Sequence, residues 1–216
     1  MKIQLIAREG LRLIVPSLVL FIVLLAGRFF VLSVPVLCFV LFCVFFFRNP
    51  ERTAADAQPG DLISPADGTV IDISEVIEEE FMGGPAIRIA IFMSPADVHV
   101  NRAPCQGLVA SMKRKPGKFA LAFRKDVNMG NERNFILFAG EDEKVLIVQI
   151  AGFLARRIVP YVKAGQRVER GEAVGIIAFG SRVDIYFPKY YEPMVQLREK
   201  VKAGTTVVAR KSKGVQ

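Results

Sequence analysis

The chain has 216 residues, 52% hydrophobic and 23% charged, with 29 Lys and Arg against 21 Asp and Glu and a formal net charge of +8. This balance excludes a disordered or fibrous protein and leaves room for one compact domain plus an additional apolar part. A single histidine excludes a His-rich metal centre, and Cys38, Cys43 and Cys105 lack the spacing of a disulfide framework or zinc site, so no metal is implied.

The apolar part comes first. Leu11 to Gly27 and Phe29 to Phe47 are two apolar runs, of 17 and 19 residues, separated by Arg28. The second meets the usual length of a membrane span and the first is marginal. Neither ends in the small-residue cleavage site of a secretory signal. The pattern predicts a membrane-associated helical hairpin over residues 1–52. Lys2, Arg8 and Arg12 before it and Arg48 and Arg52 after it outnumber Arg28 at the tip, which places both ends, and the domain that follows, on the cytoplasmic side. Pro16 and Pro35 leave both a full span and a shallow re-entrant hairpin open.

Past Arg52 the period changes to two. Val70–Val76, Ala86–Phe92, Gly107–Lys113, Phe135–Ala139, Lys144–Ile150, Ala173–Phe179 and Arg182–Phe187 read as strands between Gly, Pro and Asp. One helix is predicted near Lys118–Lys125. Val162-Lys163-Ala164-Gly165 recurs as Val201-Lys202-Ala203-Gly204, and both resemble the turns of lipoyl and biotinyl carrier domains. The expected fold is mainly β, a lipoyl/biotinyl-like flattened sandwich over residues 53–216. The densest basic segment, Lys113, Arg114, Lys115, Lys118, Arg124 and Lys125, suits an anionic membrane surface or a solvated loop. The aromatics concentrate in the hairpin and strands rather than among basic residues, so no nucleic acid is expected as a partner.

Gly180-Ser181 joins an apolar strand to the charged one that follows. The dipeptide is an ordinary turn signal, but a bend between two strands is also where backbone strain serves chemistry. A serine hydroxyl held against the preceding carbonyl can attack it and convert the amide to an ester.

Several motifs, in order, resemble the phosphatidylserine decarboxylase proenzymes, the short form most closely. They are Phe47-Arg48-Asn49-Pro50-Glu51-Arg52, Ser64 to Val70 (SPADGTV), Met93 to Pro104 (MSPADVHVNRAP), Lys115 to Phe119, Asn131 to Asn134 and Phe179 to Asp184 (FGSRVD). Many motifs in one order are more specific than any one alone. The resemblance implies self-cleavage between Gly180 and Ser181, giving a β chain, 1–180, and an α chain, 181–216, that stay together as a heterodimer; a higher oligomer is left open. It implies a covalent pyruvoyl cofactor made from Ser181. Decarboxylation needs an electron sink that the ordinary side chains lack. The ketone forms a Schiff base with the amine of phosphatidylserine in the membrane, yielding phosphatidylethanolamine and carbon dioxide. His99 is the implied proton donor, titrating near neutrality. Longer members carry a second histidine where this chain has Arg102, which leaves open whether His99 serves cleavage, decarboxylation or both. Asp67 is implied as the acid orienting the histidine, ahead of Asp97 and Asp184. Arg102, Arg133 and Lys115 are candidates for the substrate's phosphodiester or carboxylate. The alternative is a non-catalytic, membrane-anchored lipoyl-like carrier or adaptor, but no lysine stands between the two VKAG turns in the setting that a carrier modifies.

Overall fold

A computed structural model describes residues 5–117, 131–140, 143–152, 158–177 and 181–212. The chain separates into two compact units, Met1–Glu51 and Arg52–Gln216. Arg52, assigned by sequence to the end of the hairpin segment, belongs to the second unit because its guanidinium pairs there with Asp67.

In the first unit, α1 (Arg8–Ala26) and α2 (Phe30–Phe46) form an apolar pair. They are joined through Arg28, whose φ of 62° lets the chain reverse. Both helices leave large apolar side chains exposed along their length, among them Leu18, Val23, Val31, Leu32 and Phe39. The lengths invert the sequence expectation. α1 extends back to Arg8 and reaches 19 residues, long and apolar enough to cross a membrane, whereas α2 has 17. Phe29 and Phe47 lie in the flanking turns, where runs of apolar residues do not reveal a helix end.

The second unit is mainly β. Its strands are β1 (Leu62–Ile63), β2 (Gly68–Glu78), β3 (Gly84–Met93), β4 (Val100–Arg102), β5 (Gly107–Lys115), β6 (Arg133–Ala139), β7 (Lys144–Ile150), β8 (Ile158–Pro160), β9 (Arg167–Val168), β10 (Ala173–Ile177), β11 (Ser181–Pro188), β12 (Tyr191–Pro193), β13 (Lys200–Val201) and β14 (Val207–Lys211). Among the described residues they form a curled eight-stranded sheet, β13-β2-β3-β11-β7-β6-β5-β9, and two three-stranded sheets, β1-β14-β12 and β4-β10-β8. The seven strands expected from period two are all present. The ones missed have five residues or fewer, too short for alternation to show. The expected helix at Lys118–Lys125 and the last two residues of Ala173–Phe179 lie outside the described residues.

Alternation decides which face each side chain takes. Val70, Ile89, Ile91, Ile136, Phe138, Ile147, Val183 and Ile185 fill the main core. Phe135, Leu137, Leu146, Val148 and Ile150 form a second apolar cluster on the opposite face, joined by Phe81 and Tyr186.

The strand order reads the same from either edge, and the hydrogen bonds repeat with it. Ile63 N donates to Pro104 O and Arg102 N to Pro65 O, at 3.0 and 2.9 Å. Arg198 N donates to Val70 O, and Gly165 N to Val109 O, both at 2.8 Å. β1–β14 and β4–β10 carry the same irregularity, Leu62↔Ala209 and Ile63↔Val207 matching Asn101↔Gly175 and Arg102↔Ala173. Pro160 and Pro193 end the matching edge strands. The unit is therefore two copies of one seven-strand pattern. β4 to β10 form a continuous copy inserted into the other, which consists of β1 to β3 and β11 to β14. Gly68 and Gly107 open the matching strands β2 and β5 at φ 155° and 157°, and a Cβ on either would stand 2.1 Å from Phe92 O or 2.6 Å from Ala139 O.

This pairing corrects the register of the sequence repeat. Gln196 N donates to Glu199 Oε2 as Lys163 N does to Gln166 Oε1, so Val162 matches Val195 and Val168 matches Val201. The two Val-Lys-Ala-Gly stretches are not structural equivalents. The repeated architecture is real, but its hydrogen-bond register, rather than a recurring tetrapeptide, defines it.

Candidate active site

At one end of the large sheet β3 ends at Met93 and β11 begins at Ser181, paired to each other. In the continuous copy the matching strands, β6 and β7, are separated by only four residues, 140–143, and Gly140 N donates to Glu143 O at 2.8 Å. In the interrupted copy the whole insertion leaves after Met93 and returns at Ser181. Only residues 178–180 separate β10 in a small sheet from β11 in the large one, and Gly180 falls among them, outside the described residues.

Ser181 shares a face with Val183 and Ile185 and is completely buried. Its hydroxyl donates to Met93 Sδ at 3.3 Å, a weak acceptor. Arg182 and Asp184 lie on the opposite face, paired by Nε–Oδ1 and Nη2–Oδ2 bonds of 2.5 and 2.7 Å. Burial pushes the Asp184 carboxyl up against the pull of that guanidinium.

His99, also completely buried, immediately precedes β4. Its backbone oxygen receives Ile177 N at 3.4 Å, tying it to the end of β10. Its Nδ1 lies 2.9 Å from Asp97 O. A carbonyl only accepts, so Nδ1 carries a proton, and Nε2 is the nitrogen that a neutral ring would offer as a base. Asp97 itself folds back to Ser94, accepting from its N and Oγ at 2.8 and 2.7 Å.

Asp67 reaches this segment through the backbone. Its carboxylate accepts from Val98 N at 3.4 Å and Ala203 N at 2.8 Å and is gripped by both terminal nitrogens of Arg52, the Nη2–Oδ2 bond being 2.8 Å. Its strongest partner is thus Arg52, and it touches the peptide next to His99. Arg102 stands beside this pair, buried, with Nη1 donating to Gly171 O at 2.8 Å. Burial lowers its pKa, the neighbouring Arg52 adds to that and Asp67 opposes it.

Lys115 and Arg133 lie elsewhere. They are paired across β5 and β6, and both cations lie over the Phe135 ring, at 5.0 and 5.6 Å, on the face opposite Ser181. Lys115 also pairs with Glu80. The structure therefore groups Ser181 and His99 at one end, brings Asp67 and Arg102 to the adjoining backbone, and sets Arg133 and Lys115 apart. Lys118, Arg124 and Lys125 of the basic segment are outside the described residues.

Sequence reading missed Arg52 as a site residue, together with Met93, Asn101, Asn134 and Gln149. Gln149 had a visible signal, being polar in the core-facing series Val145, Ile147, Gln149 of an otherwise apolar strand. The partner of Asp67 had none, because Arg52 is remote in sequence and pairs only through the fold.

A fully buried serine, a fully buried histidine and a carboxylate held between guanidinium and backbone, all in a mainly β unit, are groups suited to acid–base chemistry. The family model for phosphatidylserine decarboxylase matches residues 39–209. The chain is 47% identical to the phosphatidylserine decarboxylase proenzyme of Carboxydothermus hydrogenoformans over 84% of its length and 85% of that protein's. It is 40% identical to the proenzyme of Symbiobacterium thermophilum over 97% of both chains, and 38% identical to that of Cupriavidus pinatubonensis over 95% and 94%. The chain belongs to the phosphatidylserine decarboxylase family: it is a decarboxylase, a lyase of phospholipid biosynthesis made as a proenzyme.

Proposed function

We propose that this chain cuts itself between Gly180 and Ser181 and then converts phosphatidylserine to phosphatidylethanolamine and carbon dioxide through a pyruvoyl group made from Ser181. The observation that carries this reading is the position of Ser181. It is fully buried at the first residue of a central strand, where the inserted copy re-enters the sheet, with its hydroxyl on a thioether.

The processing balances with residues at hand. Ser181 Oγ adds to the Gly180 carbonyl carbon, giving its proton to a base for which His99 is the candidate, and the amide C–N bond breaks as the ester forms. Loss of the Cα proton of residue 181 expels the Gly180 carboxylate from Cβ, and water hydrolyses the resulting enamine, releasing ammonia. A pyruvoyl group would fit at position 181, because its methyl carbon is the former Ser181 Cβ and that position is completely buried beside Met93. When present, that ketone supplies an electrophile for the substrate amine and accepts the electron pair released with carbon dioxide. His99 is proposed to hold and return the proton, and Asp67 with Arg52 to fix the backbone from which His99 projects. Arg102, beside that pair, and Arg133 and Lys115, on the opposite face of the sheet, are the proposed cations for the substrate's anionic groups.

Residues 53–216 are the proposed decarboxylase domain and 1–52 its membrane hairpin, with the domain on the cytoplasmic side as the arginine distribution favours. After cutting, the 181–216 chain keeps β11 between β3 and β7 and β14 beside β1, which supports a heterodimer that does not separate. The test is Ser181→Ala. The expected product is one full-length band on a denaturing gel and no carbon dioxide release from phosphatidylserine vesicles; an uncut variant that still decarboxylates overturns the reading.

A further inference from the structure

Three carboxamides are buried behind Ser181 in what is otherwise an apolar core. Asn101 of β4 and Gln149 of β7 are completely buried, and Asn134 of β6 nearly so. They form one directed chain. Asn134 Nδ2 donates to Gln149 Oε1 at 2.8 Å, and Gln149 Nε2 donates to Asn101 Oδ1 at 2.7 Å. Asn101 Nδ2 then points to Met93 Sδ at 3.6 Å, the sulfur that also takes the Ser181 hydroxyl. Each amide is oriented by the next, so the NH2 group at the end of the chain and the sulfur beside it have one arrangement.

The fold does not require these amides, and the molecule contains its own control. By the strand register, the positions matching Asn101, Gln149 and Asn134 in the other copy are Leu62, Phe187 and Ile87. The same scaffold is thus filled with apolar side chains where no serine is served. Gly175 shows a matching accommodation. A Cβ there would lie 2.8 Å from Val159 O and 3.0 Å from Gln149 Nε2, whereas its counterpart is Ala209. Polar groups that a core can do without are retained where geometry matters more than burial.

We propose that Asn134, Gln149 and Asn101, acting through Met93, are positioning residues that hold the Ser181 side chain in the rotamer used for self-cleavage. The proposal rests on the reading of Ser181 as the processed residue and deepens it. The far end of the relay is buried and reaches Ser181 only through Asn101 and Met93, so its contribution is to the direction of Oγ, and it is exercised before any pyruvoyl group exists.

The experiment follows cleavage of freshly synthesised full-length chain in detergent by quenched denaturing gel, alongside thermal unfolding of the uncut Ser181→Ala background. Gln149→Met removes the middle of the relay at nearly constant volume. The triple substitution Asn101→Leu, Gln149→Phe, Asn134→Ile installs the residues of the other copy. The expected result for Gln149→Met is a fall in cleavage rate of about 10- to 100-fold, the scale of a small misplacement of a reacting atom. The fall should be equal at every pH, because no titrating group is lost, with the unfolding temperature unchanged or raised. The triple variant should behave alike or more severely. An unchanged cleavage rate in Gln149→Met overturns the relay while leaving the Ser181 reading intact. A rate loss matched by a lowered unfolding temperature, and recovered on cooling, shows a merely structural role and also overturns it. Normal decarboxylation by uncut Ser181→Ala, in contrast, removes the underlying reading.

Discussion

The two copies of the seven-strand pattern share their glycine-opened strands, their bulges and their edge prolines, yet they differ in nearly every charged or polar residue near the site. Asp67 of one copy matches exposed Gln106 of the other, and Arg102 matches Ile63. In one copy β6 and β7 are consecutive in the chain, four residues apart; in the other the whole insertion separates β3 from β11, which begins at Ser181. Duplication supplies a rigid frame. Interrupting one copy creates a strand beginning with no turn to hold it, and the polar groups collect there. If the chain breaks there as proposed, the frame on both sides is held by long-range strand pairing rather than by the peptide link.

Six substitutions, in four tests, probe this comparison in decreasing order of effect. Asp67→Ala leaves Arg52 and Arg102 side by side without the carboxylate and should cost about 3–5 kcal/mol, as for a buried pair losing one partner, and slow self-cleavage; Gln106→Ala should stay within about 0.5 kcal/mol. Equal urea midpoints for the two would show that the asymmetry carries no energy. Next, Gly68→Ala and Gly107→Ala should each cost about 2–3 kcal/mol from overpacking against a carbonyl. Gly68 should suffer more because its approach is closer, and a reversed order in denaturant unfolding would contradict the matched geometry.

A smaller effect concerns acid. Asp61, whose matching position is Val100, is bound by Arg210 at 3.0 and 2.9 Å, and those bonds hold its carboxyl below the usual range despite its burial. Because the folded value lies below the unfolded one, the stability it contributes is complete above the ordinary carboxylate pKa of about 3.9 and disappears as pH falls through the depressed folded value. Asp61→Asn should therefore be less stable than the parent at neutral pH, with the two thermal midpoints converging in acid; a constant gap at all pH values would assign the loss to packing. Last, Arg198 adopts φ 71° where the other copy has Gly165 at 84°. Arg198→Gly should be neutral or stabilising by up to about 1 kcal/mol, since relief of left-handed strain is partly offset by a freer unfolded chain; a clear loss in thermal midpoint would mean that the arginine side chain contributes at that turn.

Much of this was legible beforehand because it is local. Period-two alternation marks a strand wherever one face is buried, so the long strands Gly84–Met93 and Lys144–Ile150 were visible, as were the apolar helices and the order of the family motifs. The Val-Lys-Ala-Gly echo pointed to the mainly β domain, but its two members are not equivalent in the fold, because four residues of turn chemistry recur wherever a turn is needed.

The amino-acid sequence alone determined the apolar hairpin, the β-rich domain, and the serine and histidine whose types suit the chemistry, since each depends on side-chain character and near neighbours. Only the tertiary structure decided that Arg52 holds Asp67, that Arg133 and Lys115 lie on the far face, and that a chain of three amides ends on Met93, the sulfur that takes the Ser181 hydroxyl. Those relations join strands distant along the chain, and no local pattern encodes which buried polar group will find which partner once the two copies have closed on each other.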